Sequence, residues 1–175
     1  MNLPKQYEWL AFEGAPRHLL KAIELYGITE KVGSANNPVI LGWAKEVGLE
    51  KDYTADSIPW CGLFVATIIK RADRQPVKDP LWALNWNNFG VPVKQPMLGD
   101  ILTFSRNGGG HVGIYVGEDK IAYHVLGGNQ GNSVSVTRIG KDRLSQARRP
   151  AYNVQPINIR KVMLASDGKL STNEA

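Results

Sequence analysis

The sequence predicts an α+β protein in which N-terminal helices pack on an antiparallel β-meander. Two observations predict this class: apolar residues recur at helical spacing over the first part of the chain, and short β-rich segments separated by glycine-rich turns follow from about residue 99. Helices first and strands afterwards is the order typical of α+β proteins. The 175 residues suffice for one core, so we predict a single domain over residues 1–150 and a tail over 151–175 with frayed last residues.

Two helices are predicted before residue 50. Over residues 16–30 the apolar side chains recur at helical spacing, and Gly27 ends the run. The second helix follows the turn SANNP, where Asn36 or Asn37 can act as the N-cap, and it ends at Gly48.

The third predicted helix contains the chain's single cysteine, Cys61. Asp56 or Ser57 can cap this helix, and Pro59 suits its first turn. The stretch CGLFVATII is strongly apolar, which predicts burial on most sides. A single cysteine excludes an intramolecular disulfide, so Cys61 is either a small buried hydrophobe or a nucleophile whose thiol pKa is lowered by the helix N-terminus.

Residues 75–96 are rich in Pro, Asn and Trp and predict a loop with one short helix. The loop carries Trp82, Trp86 and Phe89. Two interpretations remain open: these aromatic side chains pack beneath the loop, or they line one side of a substrate groove. Together with Trp60, the two tryptophans are our candidate substrate-binding residues.

Four strands are predicted in the second half, because β-rich segments alternate with turns such as NGGG, ED and GGNQGN. At this spacing they form an antiparallel meander. Asp100, in the Gly-Asp turn before the first of them, is predicted to have a structural role. The segments are GDILTFSR (99–106), HVGIYVG (111–117), KIAYHVLGG (120–128) and SVSVTRI (133–139).

The three histidines are the candidate bases for cysteine chemistry. His18 lies in the first helix among basic residues and is predicted to face solvent. His111 opens a strand after a glycine-rich loop, where it can approach a helix N-terminus. A third group must orient this base: a tight hairpin puts His124 on the face of His111, whereas a turn one residue longer favours Asn129.

The motifs PWCGLFV, GDILTF, GGHVGIYVGE and LGGNQGNSVSV, in this order, resemble the cell-wall cysteine peptidases of the NlpC and CHAP type, in particular a CHAP-like subgroup common in phages. The resemblance covers roughly residues 36–150. It implies a papain-like fold that cleaves peptidoglycan, with Cys61 as the nucleophile and His111 as the general base. NlpC-type enzymes carry a histidine about twelve residues after the base, near His124. CHAP-type enzymes carry Glu or Asn later, which favours Asn129.

The expected reaction is cleavage of a cell-wall amide bond, by an endopeptidase or an N-acetylmuramoyl-L-alanine amidase, and the expected protein is a phage endolysin. Two other interpretations stay open: a non-catalytic module of the same fold that binds the cell wall or builds a phage particle, and a papain-like amidase or acyltransferase with another substrate. We expect a monomer whose partner is bacterial peptidoglycan, without metal or cofactor.

The net charge of +5 favours an anionic partner such as a bacterial cell wall. The basic residues are scattered, which argues against nucleic-acid binding. No apolar run reaches the roughly 18 residues of a membrane helix. The N-terminal residues lack the pattern of a Sec signal, so we expect synthesis in a host cytoplasm and action on the cell wall after release or injection.

Overall fold

The computed structural model describes residues 3–33, 35–106, 108–172 and 174. Within these residues the chain forms helices followed by one mostly antiparallel sheet, so the predicted α+β class is confirmed. The α-helices are α1 (Arg17–Glu24), α2 (Pro38–Val47) and α3 (Cys61–Arg71), and 3₁₀ helices span Lys5–Phe12, Ala83–Asn88 and Lys141–Arg143.

The ends of α2 follow from its flanking residues. The backbone N–H of Val39 donates to the side-chain oxygen of Asn37 at 2.9 Å, which makes Asn37 the N-cap. The helix ends at Gly48, whose φ of 80° lies in the left-handed region that glycine adopts readily. Both ends agree with the prediction.

The start of α3 differs from the prediction. Neither Asp56 nor Ser57 caps it, and the helix begins at Cys61 itself. The Asp56 carboxylate instead accepts the backbone N–H groups of Lys31 and Asn37, at 3.0 and 2.7 Å. Asp56 therefore ties the loop before α2 to the segment before α3, and the thiol stands on the first helical residue.

The sheet contains seven strands in the order β1-β6-β2-β3-β4-β5-β7. The predicted antiparallel meander is present as β2 to β5. Strand β6 returns beside β2, and β7 adds in parallel to the other edge. The strands are β1 (Val91–Pro92), β2 (Ile101–Arg106), β3 (Gly109–Glu118), β4 (Ala122–Gly127), β5 (Ser135–Gly140), β6 (Leu144–Arg149) and β7 (Leu170–Ser171).

The two faces of the sheet bury different sets of side chains. On the near face, Val112 and Ile114 of β3 belong to the large core that includes the helices. On the far face, Phe104, Tyr115 and Val125 form a second, smaller core. The alternation of neighbouring residues along each strand therefore decides which core a side chain enters.

The turn Gly99–Asp100 connects the helical layer to the sheet. Asp100 is fully buried and accepts the backbone N–H of Met97 at 2.8 Å and two N–H groups of Arg149 at 2.8 Å each, which agrees with its predicted structural role. His18 was predicted to face solvent, but it is 1% exposed and its Nε2 lies 2.6 Å from the Gly99 carbonyl oxygen. That prediction is wrong because α1 turns His18 inward together with its apolar residues.

The tail contributes the last strand of the sheet. Leu170 and Ser171 pair in parallel with β5, and Glu174 is 1% exposed. Within the stretch 166–175, residues 173 and 175 lie outside the described residues. The edge of β5 offers unpaired backbone groups, and the tail supplies their partners.

Candidate active site

Cys61 stands at the N-terminus of α3, where backbone N–H groups lack helical partners. The first backbone bond within this helix runs from the N–H of Phe64 to the carbonyl of Trp60, at 2.9 Å. The N–H groups of Cys61 and Gly62 lie close enough to the thiol to favour its ionised form, as does the N–H of Val112 in β3. The thiol therefore lies against the residue that follows His111, among donors suited to an oxyanion.

The thiol is nevertheless harder to ionise than an exposed cysteine. Cys61 is 4% exposed, and burial raises its pKa; the N–H of Val112 and the charge of Arg106 oppose this effect without overcoming it. The expectation that the helix N-terminus lowers the pKa of the thiol is therefore not met in this closed site.

His111 lies in β3, next to the residue whose backbone N–H contacts the thiol, and is 1% exposed. Its Nε2 is 3.0 Å from the side-chain oxygen of Gln130. The group that contacts the predicted base is therefore neither Asn129 nor His124, and that part of the prediction is corrected.

The amide of Gln130 is held in one orientation. Its Nε2 donates to the backbone carbonyls of Val125 and Ser135, at 3.1 and 2.6 Å, which turns its Oε1 toward His111. Because an amide oxygen only accepts hydrogen bonds, Nε2 of His111 must carry the proton. The lone pair of Nδ1 then remains to act as a base.

Burial lowers the pKa of His111 to about 4. The negative charge of Glu174 and the hydrogen bond to Gln130 act in the opposite direction, whereas Arg106 and Arg143 add to the lowering. At neutral pH the imidazole of His111 and the thiol of Cys61 are therefore both neutral.

His124 points away from His111 because of a β-bulge. Tyr115 pairs with Val125, but Gly117 pairs with His124, so the register between β3 and β4 shifts between these positions. Val125 belongs to the far-face core, and its neighbour His124 therefore projects to the near face. His111 pairs with Phe104 of the far-face core.

A buried polar network holds His124 on that near face. Its Nδ1 lies 2.7 Å from the hydroxyl of Tyr7, and its Nε2 lies 3.0 Å from Asp119. Arg138 donates to the same carboxylate oxygen at 2.8 Å. These contacts join the 3₁₀ helix Lys5–Phe12 to the sheet and give His124 a structural role.

Asn129 occupies the turn between β4 and β5 and is 4% exposed, with a φ of 57°. A left-handed backbone of this kind is tolerated by asparagine better than by most residues. The motif GGNQGN predicted the correct turn. Within this turn the residue that contacts the base is Gln130, which follows the left-handed Asn129. The signal that could have found it is the adjacent amide in the same motif.

Two glycines at the end of β4 allow this part of the chain to approach His111 and Trp60 closely. A Cβ on Gly127 would lie 3.2 Å from Nε2 of His111, and one on Gly128 would lie 2.8 Å from the ring of Trp60, which precedes Cys61. Only glycine leaves room for this close approach.

The three candidate tryptophans divide into two classes. Trp60 is fully buried and donates to Glu30 at 2.8 Å, and Trp86 is fully buried and donates to the Pro80 carbonyl at 3.0 Å. Neither side chain is available to a substrate in this structure. Trp82 is 73% exposed.

The loop that carries Trp82 borders the site on both sides. A Cβ on Gly62 would collide with the carbonyl oxygen of Pro80, and one on Gly110 would lie 2.8 Å from Leu84. Gly62 follows Cys61 and Gly110 precedes His111. Trp82 is therefore an exposed aromatic residue of the segment that packs against both glycines.

No group of three or more His, Cys, Asp or Glu side chains suited to a metal ion occurs within the described residues. In the same part of the chain, no helix is both long and apolar enough to cross a membrane.

Comparison with protein-family models gives no match, and comparison with curated proteins gives no significant match.

Proposed function

We propose that this chain is a peptidoglycan hydrolase that cleaves an amide bond of the bacterial cell wall through Cys61 and His111. Two contacts support the proposal: Gln130 holds the imidazole of His111 in one tautomer, and the thiol of Cys61, at a helix N-terminus, contacts the N–H of Val112, the residue after His111. A nucleophile, a base and a group that orients the base are the components of thiol catalysis.

Because the thiol of Cys61 and the imidazole of His111 are both neutral before the reaction, the thiol loses its proton during the attack. As the sulfur of Cys61 attacks the amide carbon, Nδ1 of His111 takes the thiol proton, and the resulting imidazolium keeps its Nε2–H bond to Gln130. The N–H groups around the thiol face the developing oxyanion. His111 then protonates the leaving amine, and the same base activates the water that hydrolyses the thioester.

The fold is consistent with this chemistry. We propose a papain-like arrangement, in which a helix that begins at the nucleophile packs on an antiparallel sheet that carries the base. The contact of the Cys61 thiol with the N–H of Val112 supports it, as does the order of the motifs along the chain.

The substrate assignment rests on the resemblance of PWCGLFV, GDILTF, GGHVGIYVGE and LGGNQGNSVSV to the NlpC and CHAP enzymes and on charge. The net charge of +5 suits an anionic cell-wall polymer. The exposed Trp82 beside the site offers a flat apolar surface to a glycan or peptide chain.

The test compares wild type with Cys61→Ala and His111→Ala on purified cell walls. We expect wild type to reduce the turbidity of the suspension and to release new amino groups from muropeptides, and both variants to lose at least 10²-fold of this rate, about the contribution of a catalytic acid or base. Cys61→Ser serves as the near-isosteric control for folding. Mass spectrometry of the products identifies the bond.

Other outcomes lead to other conclusions. Full lysis by either alanine variant would disprove the mechanism. Sedimentation of wild type with cell walls without lysis would identify a binding module, and release of ammonia instead of new amines would identify an amidase with another substrate.

A further inference from the structure

Glu174 is a buried carboxylate near the turn that contains Gln130. Its side chain is fully buried, and its two oxygens accept N–H groups of Arg143 at 2.7 and 2.8 Å. This two-point geometry is the strongest that a guanidinium and a carboxylate form.

Arg143 also contacts two backbone carbonyls. It donates to the carbonyls of Ser105 and Ser171, at 3.4 and 3.1 Å. Ser105 adjoins Phe104, which pairs with His111 across the sheet. The guanidinium therefore has one contact, with the end of β2, that does not involve the tail.

Glu174 is fixed from the other side by the turn that contains Gln130. Its backbone carbonyl accepts the N–H of Gly131 at 3.0 Å. The charges of Glu174 and Arg143 both act on the imidazole of His111, in opposite directions. Glu174 thus contacts Arg143 through its carboxylate and the residue after Gln130 through its backbone.

The strand that leads to Glu174 is short. The strand β7 that precedes it has only two residues and pairs in parallel at the edge of the sheet. Meanwhile Cys61 is 4% and His111 1% exposed, so a substrate amide cannot reach them without some displacement.

We propose that Arg143 is a carboxylate-binding subsite of the catalytic site, which Glu174 occupies as an internal ligand until a substrate carboxylate replaces it. The substrate class, a stem peptide with a free carboxylate near the cleaved amide, rests on the proposed peptidoglycan hydrolysis. The exchange preserves charge, because one carboxylate leaves the guanidinium as another binds.

The first experiment measures how quickly iodoacetamide alkylates Cys61 in the full chain at neutral pH. Glu174→Gln replaces charge-assisted bonds with neutral ones, and we expect alkylation about tenfold faster than in wild type. Glu13→Gln is the matched control, because Glu13 forms an ion pair with Arg160 elsewhere, at 2.7 Å, and should leave the rate unchanged. Equal rates in wild type and Glu174→Gln would disprove the role of Glu174 as an internal ligand.

The second experiment measures binding, so that it does not depend on hydrolysis. In the Cys61→Ala chain, NMR titration compares a stem tetrapeptide that has free carboxylates with the same peptide amidated. We expect Glu174→Gln to bind the free acid at least about fivefold more tightly than the amide, and further substitution Arg143→Gln to abolish this preference.

Arg143→Lys keeps the charge without the planar fork and should retain only part of the preference, which provides a second variant if Arg143→Gln does not fold. If Glu174→Gln binds the free acid and the amidated peptide equally, the proposed subsite is disproved. This result requires no substitution of Arg143. A preference for the free acid together with undiminished lysis by Cys61→Ala would instead support the subsite and disprove the proposed mechanism.

Discussion

Nε2 of His111 and the side-chain oxygen of Gln130 lie 3.0 Å apart, and two backbone carbonyls hold the amide of Gln130 in place. This relationship fixes the tautomer of the imidazole, because only a protonated Nε2 can donate to the amide oxygen. The free nitrogen, Nδ1, is then the one available to a thiol. In the proposed reaction Gln130 is a positioning residue that acts through His111.

Gln130→Ala should therefore reduce kcat by roughly tenfold or more while KM changes little, because the variant loses orientation of the base rather than contact with substrate. Gln130→Asn keeps an amide but shortens its reach, and we expect partial activity. Initial rates on soluble muropeptides measure both parameters.

Asn129→Gly is the matched control, because glycine tolerates the φ of 57° at this position. We expect it to retain the wild-type rate. If Asn129→Gly were inactive and Gln130→Ala fully active, the assignment of the third residue to Gln130 would be wrong.

The pH dependence should reflect a base that stays neutral in acid. Burial lowers the pKa of His111 to about 4, so kcat/KM should fall only as the pH approaches that value, rather than near 6.5. Gln130→Glu places a carboxylate beside the imidazole, which favours the charged form and should move this acid limb to higher pH. Rates at pH 4–9 for the two proteins measure the shift, and coincident acid limbs would contradict it.

Loss of structure in acid must be separated from this effect. The pKa values of His18 and His111 are both lowered by burial to about 4, so between pH 6.5 and 4 the unfolded chain binds more protons than the folded one. The free energy of unfolding therefore decreases as the pH falls through this window. Circular dichroism at each pH identifies the range in which the rates refer to folded protein.

The sequence was sufficient for the α+β class, the meander and the proximity of the cysteine and histidine segments, because these depend on periodicity and motif order. It was not sufficient for the partner of His111. A one-residue bulge between Tyr115 and Gly117 and a left-handed Asn129 decide which side chain faces the base. Neither the bulge nor the turn conformation has a strong signature in a single sequence.

The contact of Glu174 with Arg143 could not be predicted from the sequence either, because the two residues are 31 positions apart and the tail has no regular periodicity. The burial of His18 was missed for another reason: its basic neighbours suggested a solvated face, whereas α1 turns it onto the carbonyl of Gly99.

His124, the other residue considered as the orienting group, should affect stability rather than catalysis. Burial alone would raise the pKa of Asp119, but Arg138, two backbone N–H groups and His124 together hold it well below its usual range. His124→Ala removes one member of this network and should lower the free energy of unfolding by about 2–4 kcal/mol.

Tyr7→Phe deletes a single hydroxyl contact to His124 and should cost only about 1 kcal/mol. Urea denaturation measures both variants, and lysis assayed at a temperature where each is folded should match wild type. A large loss of lysis by folded His124→Ala would restore His124 as a candidate for the site.

The two loop tryptophans should behave in opposite ways when replaced by alanine. Trp86 is fully buried and donates to Pro80, so Trp86→Ala should lower the free energy of unfolding by about 3–5 kcal/mol. Trp82 is 73% exposed, and Trp82→Ala should change stability by no more than about 0.5 kcal/mol.

If Trp82 contacts the substrate, Trp82→Ala should weaken sedimentation with cell walls by about fivefold, the effect of losing roughly 1 kcal/mol of aromatic contact, and Trp82→Phe should recover part of it. Urea denaturation and sedimentation, measured on the same preparations, separate the two roles. Unchanged cell-wall binding by Trp82→Ala would exclude its indole from the substrate groove. The boundary of the site would then be the backbone of Pro80, against Gly62, and the side chain of Leu84, against Gly110.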